Sequence, residues 1–334
     1  MLNKKAFSLI LSATVISSSL CLSGCGSSGD TIESITLKAG FSTSASDPRV
    51  IATQQFKEEV EKATDGRIVI EIYPDGELGS DSDLISGVIN GTVDITASSA
   101  GNFASYDPNI GISAFPFLFD DFDEAWTFVD GDIESMAESD LPSNNIHVLG
   151  HYDNGFRCVT TSGKAGPVNG VDDMQDLNIR TPENRIVMET MLLLGAKPKV
   201  LEFNKLPDAL RNGEFDAQEN PIPVIYNNKL YEVQDNLAIT NHSYDVMPFV
   251  IRQDIWDKLS DSDKEILEMA AINAQKTDRD LISRQTEDYI EKLKEEGMTI
   301  TYPDLEEFKD ATSSIYDSFA DTYNKELLDM IRNI

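Results

Sequence analysis

The chain has 334 residues, with 58 acidic against 27 basic side chains and a formal charge of −31. A field of that sign repels phosphate backbones and anionic membrane surfaces, so nucleic-acid binding is excluded. Three cysteines in this length leave little room for a disulfide framework.

Asn3, Lys4 and Lys5 open the chain, an apolar run extends from Ala6 to Leu20, and Leu22 to Cys25 reads LSGC. The apolar stretch is short and broken by serines, which predicts a removable signal peptide over residues 1–24 rather than a spanning helix. LSGC resembles a bacterial lipobox, in which the cysteine becomes the lipidated first residue. Cys25 is therefore the expected lipidation site, with residues 25–33 as a tether; ordinary secretion with cleavage nearby is the alternative. Cleavage removes Lys4, Lys5 and no acid, leaving 310 residues with 25 basic and 58 acidic side chains, a formal charge of −33. That length exceeds one typical core and suits two α/β lobes. Cys21 leaves with the signal and Cys25 carries lipid, so Cys158 stands alone, as a buried thiol or a nucleophile.

After the tether, strand and helix patterns alternate. Ser34–Gly40 reads as a strand and Pro48–Ala63 as a helix with proline in its first turn. Ile68–Tyr73 reads as a strand closed by a Pro-Asp-Gly turn. Asp81–Asn90 reads as a helix capped by Gly91, and Val93–Ser98 as a third strand. Ile146–Tyr152 and Phe156–Thr160 begin a second set of short strands, and the rhythm repeats through Val171–Asp176, Asn178–Arg180 and Glu183–Leu194. This alternation predicts βαβ units and a mostly parallel sheet. Helical patterning then runs from a cap at Ser260 to a stop at Gly297. At about 1.5 Å per residue it spans about 54 Å, wider than one small lobe, so it is expected to cross both.

The familiar enzyme signatures are missing: no Walker loop, no Gly-x-Ser-x-Gly and no His-Glu-x-x-His occurs. His147 and His151 fall in a strand pattern, on one face but about 13 Å apart, too far to share a metal. The acidic run Asp120–Glu124 lacks the spacing of a calcium loop and reads as a solvated helix start. No metal or cofactor is expected. Asp216 and Glu219 form a carboxylate pair of the kind a glycosidase needs, although so acidic a chain yields such pairs freely. Arg157 and Arg180 each lie at a strand end, where ligand crevices form in open α/β sheets. A guanidinium there can grip a carboxylate through two parallel hydrogen bonds, or pair with one of the chain's own acids.

The phrases LNIRTPEN, LGAKPKVLEF, LRNGEFDAQENP and LYEVQDNLAITNHSY resemble, in order and spacing, the solute-binding proteins of TRAP transporters, the DctP family. AFPFLFDDFDEAW, GFRCVTTSGKAGPVNGVDDMQDL and IYPDGELGSDSDLISGVINGTVDI extend the likeness over essentially the whole mature chain. The resemblance implies an α/β, two-lobed periplasmic-binding-protein-like fold with a long helix spanning both lobes. The expected division is 34–154 plus about 246–285 for lobe I, and 155–245 plus about 286–334 for lobe II. It further implies a monomeric, extracytoplasmic, lipid-anchored protein that takes a carboxylate-bearing small molecule by hinge closure and passes it to the membrane subunits of a TRAP permease. By position, Arg180 pairs with the ligand carboxylate, Arg157 gives a second contact, Asn220 helps hold the anion and Phe203 packs on the ligand. Ser42, Asp81 and Ser99 fall where the first lobe faces the cleft. Lys205, Pro207, Ala217 and Asp176 depart from the family's usual residues, which leaves sugar acids, dicarboxylates and related acids all open. Ser99 stands where some sialic-acid binders carry an acid. A sensor input for a membrane receptor is the alternative reading, and a hydrolase using Asp216 and Glu219 a remote one.

Overall fold

The computed structural model describes residues 32–332, so the signal-peptide segment and Cys25 lie outside the described residues. Its strands are β1 (Ile35–Gly40), β2 (Ile68–Tyr73), β3 (Ile95–Ala97), β4 (Ile146–Thr161), β5 (Asn178–Thr181), β6 (Lys197–Val200), β7 (Ala217–Pro221), β8 (Asn236–Arg252) and β9 (Thr299–Thr301). They lie in the order β2-β1-β3-β8-β4-β7-β5-β6, with β9 added to β8. At one end β1 pairs in parallel with β2 and β3; at the other, β5 pairs in parallel with β6 and β7. The long antiparallel pair β4–β8 belongs to both halves and joins the two lobes.

The helix termini follow their local chemistry. Pro48–Ala63 starts at Asp47, whose side chain accepts the Arg49 N–H. Asp81–Asn90 starts in a capping box of Ser80 with Asp83 and ends at Gly91, which takes φ +86°. The helix Asp261–Glu295 has 35 residues, capped by Ser260 and followed by Gly297 at φ +101°. Near its start and middle it holds the first helix, through Asn273 to Glu59 at 2.8 Å and Thr277 to Gln55 at 2.6 Å. Further along it receives the second lobe, through Asn227 to Gln285 at 3.0 Å. The expected two-lobe span is therefore present.

Each lobe packs its half-sheet between two apolar layers. In the first lobe, Val250 joins Leu84, Phe103 and Phe115 on one face, while Phe249 and Ile251 join Leu37, Phe56 and Leu267 on the other. In the second lobe, Leu237 joins Leu210, Ile225 and Leu293, while Ala238 joins Met174, Ile179 and Phe308. Neighbouring residues of one strand thus feed opposite layers, as the pleat requires.

Four expectations change. The sheet is mixed rather than mostly parallel, because its longest pairing, β4–β8, and its neighbours β4–β7 and β3–β8 are antiparallel. Ile146–Tyr152 and Phe156–Thr160 are one strand, because Asp153, Asn154 and Gly155 interrupt the apolar pattern without ending the ladder. A register shift lies between Asp153 and Gly155, and Gly155 takes φ +99°. A second shift between Val148 and Gly150 breaks the alternation between the two histidines. His147 stacks on Trp256 at 4.0 Å, whereas His151 meets Glu138 at 2.9 Å. The end of the chain does not stay with the second lobe as expected for 286–334. Ile315, Phe319, Tyr323, Leu327 and Ile331 pack into the first-lobe layer around Phe115, which stacks on Tyr316 at 4.9 Å. Asp121 caps the helix Phe122–Val129, so the acidic run is a helix start. Among the described residues no helix is long and apolar enough to cross a membrane.

Candidate functional site: an arginine-lined cavity between the lobes

A cavity opens beside the β4–β8 crossing, between the lobes. All seven residues singled out as ligand-facing line it: Ser42, Asp81, Ser99, Arg157, Arg180, Phe203 and Asn220. They come from widely separated segments, brought together by the ends of β1, β3, β5, β6 and β7 and by β4.

The two arginines differ in electrostatic state. Arg157, on β4, is buried and fully engaged with protein. Its Nε pairs with Glu219, its Nη2 donates to Glu219 Oε1 at 2.9 Å, and its Nη1 reaches Asp245 Oδ2 at 2.5 Å. Burial opposes its charge, but Glu219 and then Asp245 outweigh that and raise its pKa. Arg180, on β5, is 2% exposed and forms no ion pair among the described residues. Its Nε and Nη2 both donate to the Leu201 carbonyl, at 2.8 and 2.6 Å, and its guanidinium lies 6.0 Å from the centre of the Phe203 ring. Burial pushes its pKa down to about 10, with Glu219 only partly offsetting. Arg180 is thus a buried charged group whose hydrogen bonds within the protein go to one carbonyl, so burial disfavours its charge and an anion beside it would favour it.

The other walls are polar and oriented. Asn220 Nδ2 donates to Gln218 Oε1 at 2.5 Å, and Gln218 Nε2 donates to Thr160 Oγ1 at 2.8 Å. Asn220 Oδ1 accepts Arg157 Nη2 at 3.3 Å. This ladder fixes the amide and leaves its second N–H for the cavity. Asp81 stands at the first position of its helix, where the dipole favours an acid. Its Oδ1 accepts Ser42 at 2.8 Å and Ser98 at 3.1 Å, while Oδ2 accepts no hydrogen bond from the described residues. Ser99 donates to Asp245 Oδ1.

Sequence reasoning missed Arg49, Asn102, Asn154 and Asp245, which also line the cavity. Asp245 follows directly on the motif phrase that ends at Tyr244, so one more residue of that phrase would have reached it. Arg49 gave no signal, since its place on the wall depends on Asp47, which holds its Nε at 2.9 Å.

The lobes touch across the cavity. Ser82, on the first lobe, donates to Glu202 Oε1 of the second at 3.2 Å. A methyl group on Gly101 would lie 2.3 Å from Asn184 Nδ2, across the same seam.

The carboxylate pair of the sequence does not face a common substrate. Glu219 is buried against Arg157; burial alone would raise its pKa, but Arg157 holds it below the ordinary value. Asp216 lies outside the cavity lining, its backbone tying Ser162 at 2.8 Å and Asn178 at 2.9 Å. Neither is poised as a general acid. Cys158 is buried with its thiol pushed up to about 11 by burial, which leaves no thiolate at neutral pH.

The profile of the bacterial extracellular solute-binding protein family 7, DctP, matches residues 39–322. The chain belongs to this family. Among DctP relatives, the 2,3-diketo-L-gulonate-binding periplasmic protein YiaO of Escherichia coli is 32% identical over 277 residues, covering 83% of this chain and 84% of its own. The sialic acid-binding periplasmic protein SiaP of Vibrio cholerae is 30% identical over 285 residues, 85% of this chain and 88% of its own. A TRAP periplasmic solute-binding protein from Polaromonas sp. JS666, crystallised with D-erythronate, superposes with a TM-score of 0.86 at 31% identity, covering 90% of this chain and 98% of that one. As a DctP protein the chain is an extracytoplasmic solute-binding protein and not an enzyme.

Proposed function

We propose that the protein captures a hydroxylated monocarboxylate, a sugar acid, between its lobes and delivers it to a TRAP permease. The observation that carries this is Arg180, a buried guanidinium with no carboxylate partner among the described residues. A ligand carboxylate supplies the missing anion through a charge-assisted pair, strengthened as closure removes water. The second N–H of Asn220 and the face of Phe203 complete the acid end. The far wall supports the choice of a hydroxylated tail. Asp81 offers a free carboxylate oxygen to a hydroxyl donor, and the other two arginines of the cavity are already paired with Asp47, Glu219 and Asp245. A second carboxylate on the ligand would meet Asp81 with no cation to receive it. The acids bound by the E. coli and Polaromonas proteins, 2,3-diketo-L-gulonate and D-erythronate, fit this description.

We assign lobe I to 34–154 plus about 246–285, with 315–332 packed on it, and lobe II to 155–245 plus about 286–314. The molecule acts as a monomer whose lobes close by hinge motion, tethered through lipid on Cys25. A thermal-shift screen against an organic-acid library tests the binding reading, because a ligand bound only by the native state raises its melting temperature. A sugar acid should stabilise the wild type and fail to stabilise Arg180→Lys, whose ammonium lacks the planar fork. Equal shifts in both proteins overturn the assignment. Cys25→Ser should move the protein from the membrane fraction to the soluble one; retention on the membrane refutes the anchor.

A further inference from the structure

Asn154 lies on β4 between Asp153 and Gly155, at the register shift where the strand passes from one lobe to the other. Its side chain is buried in the cavity wall. Its Oδ1 accepts Arg49 Nη2 at 3.3 Å, and its Nδ2 donates to Asp245 Oδ2 at 2.7 Å. That same oxygen of Asp245 accepts Arg157 Nη1 at 2.5 Å, while the other accepts Ser99. One neutral amide therefore stands between a first-lobe arginine and the carboxylate that balances a second-lobe arginine. An amide accepts on one side and donates on the other; a carboxylate cannot donate and an aliphatic chain does neither.

We infer that Asn154 is the positioning residue of the cavity: its amide holds Asp245 on Arg157 and keeps Arg49 apart from both, so that Arg180 remains the cation the ligand acid meets. The inference rests on the sugar-acid reading above. Without the amide, Arg49 is free to turn to Asp245. Arg157 would then lose half of its balancing charge and compete with Arg180 for the ligand carboxylate, in a geometry that the ladder through Asn220 does not support. The charged groups facing position 154 are Arg49 from the first helix and Asp47 from its cap, Asp245 from β8, and Arg157 from β4 with its partner Glu219 on β7. Beside Arg49 stand Asp81 of the second helix and then Asp278 of the long helix.

Asn154→Asp turns this geometry into a readout. It sets a second carboxyl 2.7 Å from Asp245 but 3.3 Å from Arg49, so repulsion from the nearer carboxylate outweighs the pull of the arginine and the pair retains a proton. The shared proton has a higher pKa in the folded protein than in the unfolded chain. Stability and correct positioning are thus present at acid pH and lost as pH rises through the folded value. With D-erythronate and D-galactonate as probes in calorimetry, Asn154→Asp should bind about tenfold or more weakly than wild type at pH 8, and within about threefold of it near pH 5.5. Asn154→Leu should bind weakly at both. Wild-type affinity in Asn154→Leu, or a loss in Asn154→Asp that is the same at every pH, overturns the inference. If the wild type ignores both acids, the sugar-acid reading fails, and ligand-free melting decides the present inference by itself. The melting temperature of Asn154→Asp must converge on that of wild type as pH falls from about 8 to about 5.5. A constant gap refutes the coupling of position 154 to Asp245.

Discussion

Arg180→Met deletes the charge at the centre of the cavity while keeping a side chain of similar reach. The guanidinium's pKa falls from its ordinary value to about 10 on folding, equivalent to a cost of about 3 kcal/mol for keeping it charged in place. For a cation with a depressed pKa this cost is present in full at every pH below about 10, so it operates at neutrality. Removing the group also strands the Leu201 carbonyl, which loses donors at 2.8 and 2.6 Å; that offsets about 1–2 kcal/mol. The ligand-free variant should therefore be more stable than wild type by about 1–2 kcal/mol, a rise of about 2–5 °C in melting temperature. Its affinity for a sugar acid should fall by about 2–5 kcal/mol, at least about thirtyfold, because the ligand's carboxylate is left buried and unpaired. Urea unfolding of both proteins without ligand, with calorimetry alongside, measures the two effects. A ligand-free variant less stable than wild type by more than about 1 kcal/mol would show that Arg180 is already compensated, and the account of the site would fail.

Three further outcomes can be checked. Gly101→Ala places a methyl group against Asn184, whose Oδ1 is committed to the Ile186 and Val187 N–H groups at 2.9 and 3.2 Å. Closure should cost about 1–3 kcal/mol more, weakening binding about tenfold, and an unchanged dissociation constant would refute the seam contact. Asp81→Asn should weaken binding of sugar acids by about 1.5–3 kcal/mol and admit succinate; continued exclusion of succinate in a thermal-shift assay would remove Asp81 from the selectivity argument. Glu134 is buried with neither carboxyl oxygen hydrogen-bonded, and its pKa is pushed up to about 8 by burial and then Glu138, with His151 opposing. Its folded pKa exceeds the ordinary 4.5, so its contribution to stability is lost as pH rises from there through about 8. Urea unfolding at several pH values should show Glu134→Gln gaining on wild type towards alkaline pH, and a gain towards acid pH would contradict the burial argument.

Local signals carried much of the fold. Pro48–Ala63, Ile68–Tyr73 and Asp81–Asn90 were legible because their caps and turns are written in adjacent residues, Ser80 with Asp83 and Gly91 among them. β8 was not legible as a strand. Nearly every residue from Asn236 to Ile251 is buried on one face or the other, and polar residues sit among them at Asn241 to Ser243. The cavity was legible wherever a family phrase carried it, at Arg157, Arg180, Phe203 and Asn220. Sequence alone could not tell the two arginines apart, although Arg157 lies inside β4 and only Arg180 stands near the end of a strand. Their difference is made by Glu219 and Asp245, which reach Arg157 and leave Arg180 without an ion pair among the described residues. Asn154 escaped notice for the same reason: its role is set by pairing with Arg49 and Asp245, far away in the chain.

The joint between the lobes has a mechanical consequence. Two strands of one ladder and a helix of 35 residues cross it together, so no pliant linker separates the halves. Three tied struts resist torsion and sliding far more than they resist a shared bend. Register shifts at Val148–Gly150, Asp153–Gly155 and Arg157–Val159 interrupt the ladder along β4. Any opening is thereby directed along nearly one axis, a bend across the joint rather than a slide of one lobe past the other.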